Sequence, residues 1–235
     1  MDIQPHKPYK ILLIGETCLD VYMYGKCKRL SPEAAVPVLD MTHQETKPGM
    51  SANVRENLIG LGCHVSHVTN EREITKTRIV DSRFNHHIVR VDSTDTIDTL
   101  DNIFLEQVRE GHADEKFDAI VISDYDKGFL RYEYVTKFLS FFKELWPDIP
   151  VFVDTKKKNA DCFDSVILKV NYSEFTNMIS EPTNSKTIVT CGRRGAKHNG
   201  EIFPAFDTEV YDVVGAGDTF LAGLVYMYLN TSGDM

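Results

Sequence analysis

Between residues 117 and 190 the chain sets out four short apolar runs: "FDAIVIS" (117–123), "IPVFVD" (149–154), "DSVILKV" (164–170) and "KTIVT" (186–190). Each is too short for a helix and is closed by polar or turn residues, so each reads as a buried strand. Between the first two stands "YEYVTKFLSFFKELW" (132–146), apolar at helical spacing and stopped by Pro147. Buried strands alternating with helical or turn segments imply an α/β fold, a mostly parallel sheet with helices on its faces. In such open sheets, ligands bind at the carboxyl ends of the strands. Attention therefore falls on "SDYDKG", "DTKKKN", "NYSE" and "TCGRRG".

The first half is read similarly. "YKILLIG" (9–15) is a continuous apolar run closed by Gly15 and predicts a further buried strand. "AVPVLDMT" (35–42) and "ITKTRIV" (74–80) alternate, as half-exposed strands do, and "HHIVRVD" (86–92) completes a hairpin with the latter. "NVRENLIGLG" (53–62) has a helical stripe at Val54, Leu58 and Leu61. There is no repeat and no evident linker, so residues 1–235 read as one domain. Acidic residues number 35 against 26 basic ones, a net charge of −9. That balance argues against a nucleic-acid partner, whose phosphates demand a basic surface. No apolar run is long enough to span a membrane, and "MDIQPHKPYK" has no apolar leader core. Five scattered cysteines without a C-x-x-C pair suit a reducing compartment, and the expectation is a cytoplasmic protein. His64 and His67, three apart on a strand-like segment, face opposite sides and read as structural.

Near the end stands "YDVVGAGDTFLAGLVYMYL" (211–229). A helix follows the small residues, with a stripe at Phe220, Leu221, Leu224, Val225 and Tyr228. A helix N-terminus offers unpaired N–H groups, and Gly215, Ala216 and Gly217 let an anion approach them. Asp218 would repel a bound phosphate unless it takes a proton, which is the task of a general base in phosphoryl transfer. The alternative is that Asp218 only caps the helix. Other motifs are missing: there is no G-x-x-x-x-G-K-[ST], "GAGDTF" lacks the third glycine of a dinucleotide fingerprint, and "GMSAN" is not a nucleophile elbow.

"DVVGAGD" resembles the carboxyl-terminal signature of the PfkB or ribokinase-like carbohydrate kinases. "GETCLDVYMYGKCKRLSPEAAVPVLD", "KPGMSANVRENLIGLG", "ITKTRIVDSRFNHHIVRVD" and "SDYDKG" are similar to the D-glycero-β-D-manno-heptose 7-phosphate kinase branch, the kinase half of bifunctional ADP-heptose enzymes. The resemblance implies a ribokinase-like three-layer sandwich with a β-lid from about residues 18–46 and 74–92. It implies ATP and Mg²⁺ as cofactors, and phosphorylation of the anomeric hydroxyl of a heptose 7-phosphate for lipopolysaccharide precursors. By the same resemblance Asp218 is the catalytic base and Gly215, Ala216 and Gly217 the anion hole. Asp20, Asn53, Arg78 and Lys127 would bind substrate. Asn171, Tyr172, Ser173, Glu174, Thr190, Gly192 and Gly195 would hold the nucleotide, and Glu174 and Asp212 would organise Mg²⁺. Local readings compete: Asn171 with Glu174, and Asn53 with Glu56, have capping-box spacing; Asp20 could be a turn residue; Lys76, Arg78 and Arg90 could be a solvated strand face. Partners implied are a small sugar phosphate, a second copy through the lid, and a separate nucleotidyltransferase.

The sequence also departs from the family pattern. Met50 and Val214 stand where glycine and threonine are common. A segment after "HVTN" and the helices after the GAGD helix are absent. A regulatory or non-catalytic sugar or nucleotide binder, and a PfkB kinase for another sugar or nucleoside, are the rival expectations.

Overall fold

The computed structural model describes residues 8–93, 97–100, 106, 116–207 and 214–231. Its frame is an eight-stranded sheet. Strand β1 (Lys10–Gly15) lies between β4 (His64–Val68) and β7 (Ala119–Asp124). Outward from β7 follow β8 (Val151–Thr155), β9 (Ile167–Asn171) and β10 (Lys186–Thr190), and all six are parallel. The edge is an antiparallel hairpin, β11 (Ala196–His198) and β12 (Glu201–Phe203).

Near-continuous apolar strands make sense because both faces of this sheet are covered. Leu12, Ile14, Ile120, Ile122, Val151, Val153, Leu168 and Val170 point to one side. There they meet Val135, Phe138, Leu139 and Phe142 of helix α2 (Tyr132–Leu145), the stripe that the 3.6-residue period announced. Each such burial contributes about 1.5–3 kcal/mol before chain entropy is counted. Their alternates Ile11, Leu13, Ala119, Val121, Phe152 and Ile167 face helices α1 (Ser51–Gly60) and α4 (Ala216–Asn230). The result is the expected three-layer α/β sandwich.

A second sheet of four strands makes the lid, in the order β3 (Pro37–Met50), β2 (Thr17–Leu30), β5 (Thr75–Asp81), β6 (His86–Asp92). The β5–β6 hairpin is as expected. The strand expected over 35–42 instead runs on to Met50, paired with β2 throughout apart from two register shifts. Its outer stretch is exposed on both faces, so no burial alternation marks its length. In α1, Val54 and Leu58 are buried but Leu61 is 39% exposed, because the helix stops at Gly60 and the chain turns at Gly62 with φ 87°. In α4 the buried apolar set is Leu221, Ala222 and Val225, while Phe220 is 36% exposed beside an open apolar cavity.

Candidate active site

The carboxyl ends of the parallel strands converge on the first turn of α4. Gly215 caps that helix with a left-handed backbone, φ 78°, and among the described residues no side-chain hydrogen bond caps its start. A side chain at 215 would also put its Cβ 2.6 Å from Asn53 Nδ2. Glycine is therefore required twice over, by conformation and by close approach. At Gly217 an added Cβ would sit 2.9 Å from Lys169 Nζ, so an ammonium stands beside the same turn.

Asp218 is buried and does not cap the helix. Asn53 Nδ2, in α1, donates to its Oδ2 at 2.8 Å. Tyr125 Oη, in the loop after β7, donates to its Oδ1 at 2.8 Å. Burial pushes the Asp218 carboxyl above the usual carboxylate range, the Asn53 and Tyr125 hydrogen bonds pull it back, and Asp154 pushes it up again. A carboxylate of raised proton affinity is suited to accept a proton.

Two cavities meet at Asp218. The first, about 450 Å³, opens under the lid and is lined by Cys18, Asp20, Tyr22, Lys47, Met50, Asn53, Lys76, Arg78, Tyr125, Val214 and Gly215, among others. Asp20 lies on the buried face of β2, and Arg78 Nη1 donates to its Oδ1 at 2.5 Å. Arg78 thus orients Asp20 and spends its charge there. Arg78, expected to bind substrate, has its guanidinium committed to Asp20. Lys76 has no carboxylate within 4.0 Å among the described residues, and Lys47 reaches only the exposed Glu45 at 3.8 Å. Met50 is buried in the wall with φ 58°, a left-handed conformation that favours glycine, and its side chain narrows the cavity.

The second cavity, about 320 Å³, lies on the other side of Tyr125 and Asp218, lined by Asp154, Lys156, Lys169, Asn171, Thr190, Gly192, Gly215 and Gly217 as well. Lys169 and Asp154 are register partners on adjacent strands and pair at 2.6 Å, with side chains only 3% and 5% exposed. Lys156 Nζ reaches Glu174 at 2.5 Å and Asp154 at 3.5 Å. Thr190, Gly192 and Gly217 also border a third, apolar cavity of about 790 Å³, where Gly195, Ala216, Phe203, Phe206, Phe220 and Met227 are found. Polar sugar-sized space, cationic space and apolar space thus follow one another along the strand ends.

The sequence expectations divide accordingly. Asp20, Asn53, Arg78, Asn171, Thr190, Gly192, Gly195, Gly215, Ala216, Gly217 and Asp218 all line these cavities. Asn171 and Glu174 form a full capping box on helix α3 (Tyr172–Thr176), with both bonds at 2.8 Å. Asn53 and Glu56 do not cap α1, whose N-cap position is Met50. Tyr172 and Ser173 are exposed outside the cavity walls. Lys127 gives its backbone N–H to Glu16 Oε1 at 3.0 Å and lines none of the three cavities. Asp212 lies outside the described residues. Among those residues no three His, Cys, Asp or Glu side chains converge as a metal cluster. His67 is a structural histidine: it pairs with Ser51 Oγ at 3.0 Å, and burial lowers its pKa to about 4.

Tyr125, Asp154, Lys156 and Lys169 were not singled out from the sequence. One signal was there: a lysine inside the apolar strand "ILKVN" must have a buried partner, since burial of a lone ammonium is costly.

Comparisons with known proteins bear on the fold and the family. Residues 148–234 match the family described as "pfkB family carbohydrate kinase". A relative from Geobacter sulfurreducens, "Bifunctional protein HldE", is 29% identical over 266 positions, covering 91% of this chain and 54% of the relative. The chain spans about half the length of the curated relatives it matches, and the aligned span exceeds its own 235 residues, so the relatives carry segments it lacks. Phosphofructokinase-2 from Escherichia coli in complex with fructose-6-phosphate superposes with a TM-score of 0.70 at 15% identity, over 96% of this chain and 88% of that one. Ribokinase from Arabidopsis thaliana, complexed with ribose and ATP, gives 0.62 at 15% identity over 95% and 87%. The chain thus combines a ribokinase-like fold with a segment, residues 148–234, that matches the pfkB-family carbohydrate kinases.

Proposed function

We propose that the protein transfers the γ-phosphoryl group of ATP to a hydroxyl of a sugar phosphate, the anomeric hydroxyl of D-glycero-β-D-manno-heptose 7-phosphate being the substrate favoured by its HldE relatives. The observation that carries this is Asp218, buried at the junction of a polar cavity and a cationic one. Asp20 and Asn53 present oxygen and amide groups to sugar hydroxyls. Asp218 accepts the proton of the attacking hydroxyl. The amides at 215–217, together with Lys156 and Lys169, stabilise charge on the phosphoryl oxygens. Mg²⁺ brought by the nucleotide would neutralise phosphate charge. Asn171 in the cavity wall, and Glu174 behind Lys156, would offer it hard oxygen donors through water, since the Glu174 carboxylate is already held by Lys156 and the Asn171 backbone N–H. The setting proposed is the cytoplasm, and among the described residues no helix is long and apolar enough to cross a membrane. A separate nucleotidyltransferase would use the product. Exposed Leu30, Val36, Met41, Val89 and Val91 give the lid a face for a second copy.

The test is ADP release from the purified chain with ATP, Mg²⁺ and heptose 7-phosphate, set against other sugar phosphates and free sugars. Heptose 7-phosphate should give the highest kcat/KM. ADP release no faster than ATP hydrolysis alone, with every sugar, would favour a non-catalytic binder.

Two further outcomes follow from the cavity walls. Lys76→Met should raise KM for the sugar phosphate about tenfold or more, with little change in KM for ATP, because a charge-assisted phosphate contact is lost. Equal rises in both KM values would place Lys76 away from the phosphate. The third cavity is walled by apolar side chains, with Thr190, His198 and Thr231 among its few polar groups. Apolar walls hold the faces of any purine alike, whereas discrimination needs hydrogen bonds to its edge. ATP and GTP should therefore bind within about tenfold of each other by calorimetry. A preference of a hundredfold would contradict this.

A further inference from the structure

Asp218 is held from two sides, and the two holders differ. Asn53 comes from α1 and belongs to the sugar cavity. Tyr125 lines both the sugar cavity and the phosphate cavity, so it forms part of the wall between them. Each cavity also sends a lysine to its ring: Lys76 Nζ lies 5.8 Å and Lys156 Nζ 5.4 Å from the centroid. The tyrosine is itself fixed. Its backbone N–H donates to Glu16 Oε2 at 2.8 Å, and the Lys127 N–H takes Oε1 of the same fully buried carboxylate. A chain of contacts therefore runs from Glu16 at the end of β1, through the loop after β7, to the first turn of α4.

We propose that Tyr125 is the positioning residue of the reaction, fixing the Asp218 carboxylate through its Oδ1 and steadying the ionised form. The proposal rests on the reading of Asp218 as the base. A carboxylate oxygen has two lone pairs, so Oδ1 and Oδ2 each keep one for the substrate hydroxyl while Tyr125 and Asn53 remain bound. The base can act without breaking either contact. Tyr125 stays a donor throughout, because burial and the adjacent Asp218 carboxylate push its phenol pKa upward. Across the two cavities Asp218 faces Asp20, Lys47, Lys76, Arg78 and Lys156, while the charged groups that shift it most among the described residues are Asp154 of β8 and Lys169 of β9. They act on it in opposite directions and are paired with each other. The two hydrogen bonds to the carboxylate, from Asn53 and Tyr125, therefore oppose the upward push of burial.

Removing one donor to an ionised carboxylate raises its pKa. Tyr125→Phe keeps the ring and both lysine contacts but loses the hydroxyl. The acid limb of its kcat/KM profile should move upward by about one pH unit, with most of the activity recovered above the new limb. Carbon-13 carboxyl NMR of Asp218 should show the same upward shift without any turnover. Replacing Tyr125 with a fluorinated tyrosine, a stronger donor, should move both readouts the other way, and it serves if the phenylalanine variant folds poorly. An unchanged Asp218 titration in either variant, or a uniform loss of rate at all pH values, would overturn the proposal and leave Tyr125 a packing residue. If instead Asp218→Asn retains turnover, the reading of Asp218 as the base has failed, whatever the NMR titration shows.

Discussion

Asp218→Asn should lower kcat by about 10²–10⁴ while the protein melts near the wild-type temperature. The asparagine side chain fills the same space. It can still accept one hydrogen bond through its Oδ1, so the wall between the cavities stays in place. What it cannot do is take a proton. KM for the sugar phosphate should change little, because the hydroxyl still finds a polar partner and the loss falls on the transition state. Steady-state kinetics together with a thermal melt separate these effects. A variant with wild-type kcat would remove the base from the mechanism. The wild-type enzyme should also lose kcat/KM on acidification at a pH above the ordinary carboxylate range, since burial holds the Asp218 pKa up and the protonated form cannot accept a proton.

Lys169→Met should destabilise the fold by about 3 kcal/mol, a drop of roughly 6–12 °C in Tm for a chain of this size. Lys169 and Asp154 are both buried and face each other across adjacent strands. Deleting the ammonium leaves a buried carboxylate whose only other cation among the described residues is Lys156 at 3.5 Å. The cost arises from the stranded charge rather than from the lost attraction. The double variant Asp154→Asn with Lys169→Met should accordingly recover much of the stability, although neither charge returns. Triphosphate binding should weaken in both variants, since Lys169 also faces the phosphate cavity. A single variant within about 1 kcal/mol of wild type, by chemical denaturation, would show that water or Lys156 already compensates Asp154.

The sandwich was legible in the sequence because its signals are local. Apolar runs such as "ILLI" and "IVIS" and the stripe of α2 each carry their period within a few residues, and burial on both faces keeps them apolar. The hairpin β11–β12 was equally available. Asn199-Gly200 is a two-residue turn with positive φ at both positions, a strong short-range hairpin signal, but the strands it joins are only three residues long. The lid was harder to read. β2 buries Cys18, Asp20 and Tyr22, so its inward face includes a charge, and no apolar alternation marks it as a strand.

The chemistry divides in the same way. Residues 215–218 announced a helix start built to receive an anion, because glycine, alanine and an acid at that spacing are meaningful within one turn. Which groups Asp218 touches was not written there. Asn53 is 165 residues away and Tyr125 is 93. The pairing of Lys169 with Asp154 spans 15 residues and depends on strand register. Arg78 is spent on Asp20 while Lys76 lines the cavity, although the lid's register sets Lys76 opposite Asp20 and Arg78 opposite Tyr22: the guanidinium reaches the carboxylate diagonally across β2 and β5, which no local spacing announces. Sequence alone determined the elements, whose causes lie within a turn or a strand. Tertiary structure decided the partners of each charge, because burial and Coulomb attraction act through space between segments that the chain keeps far apart.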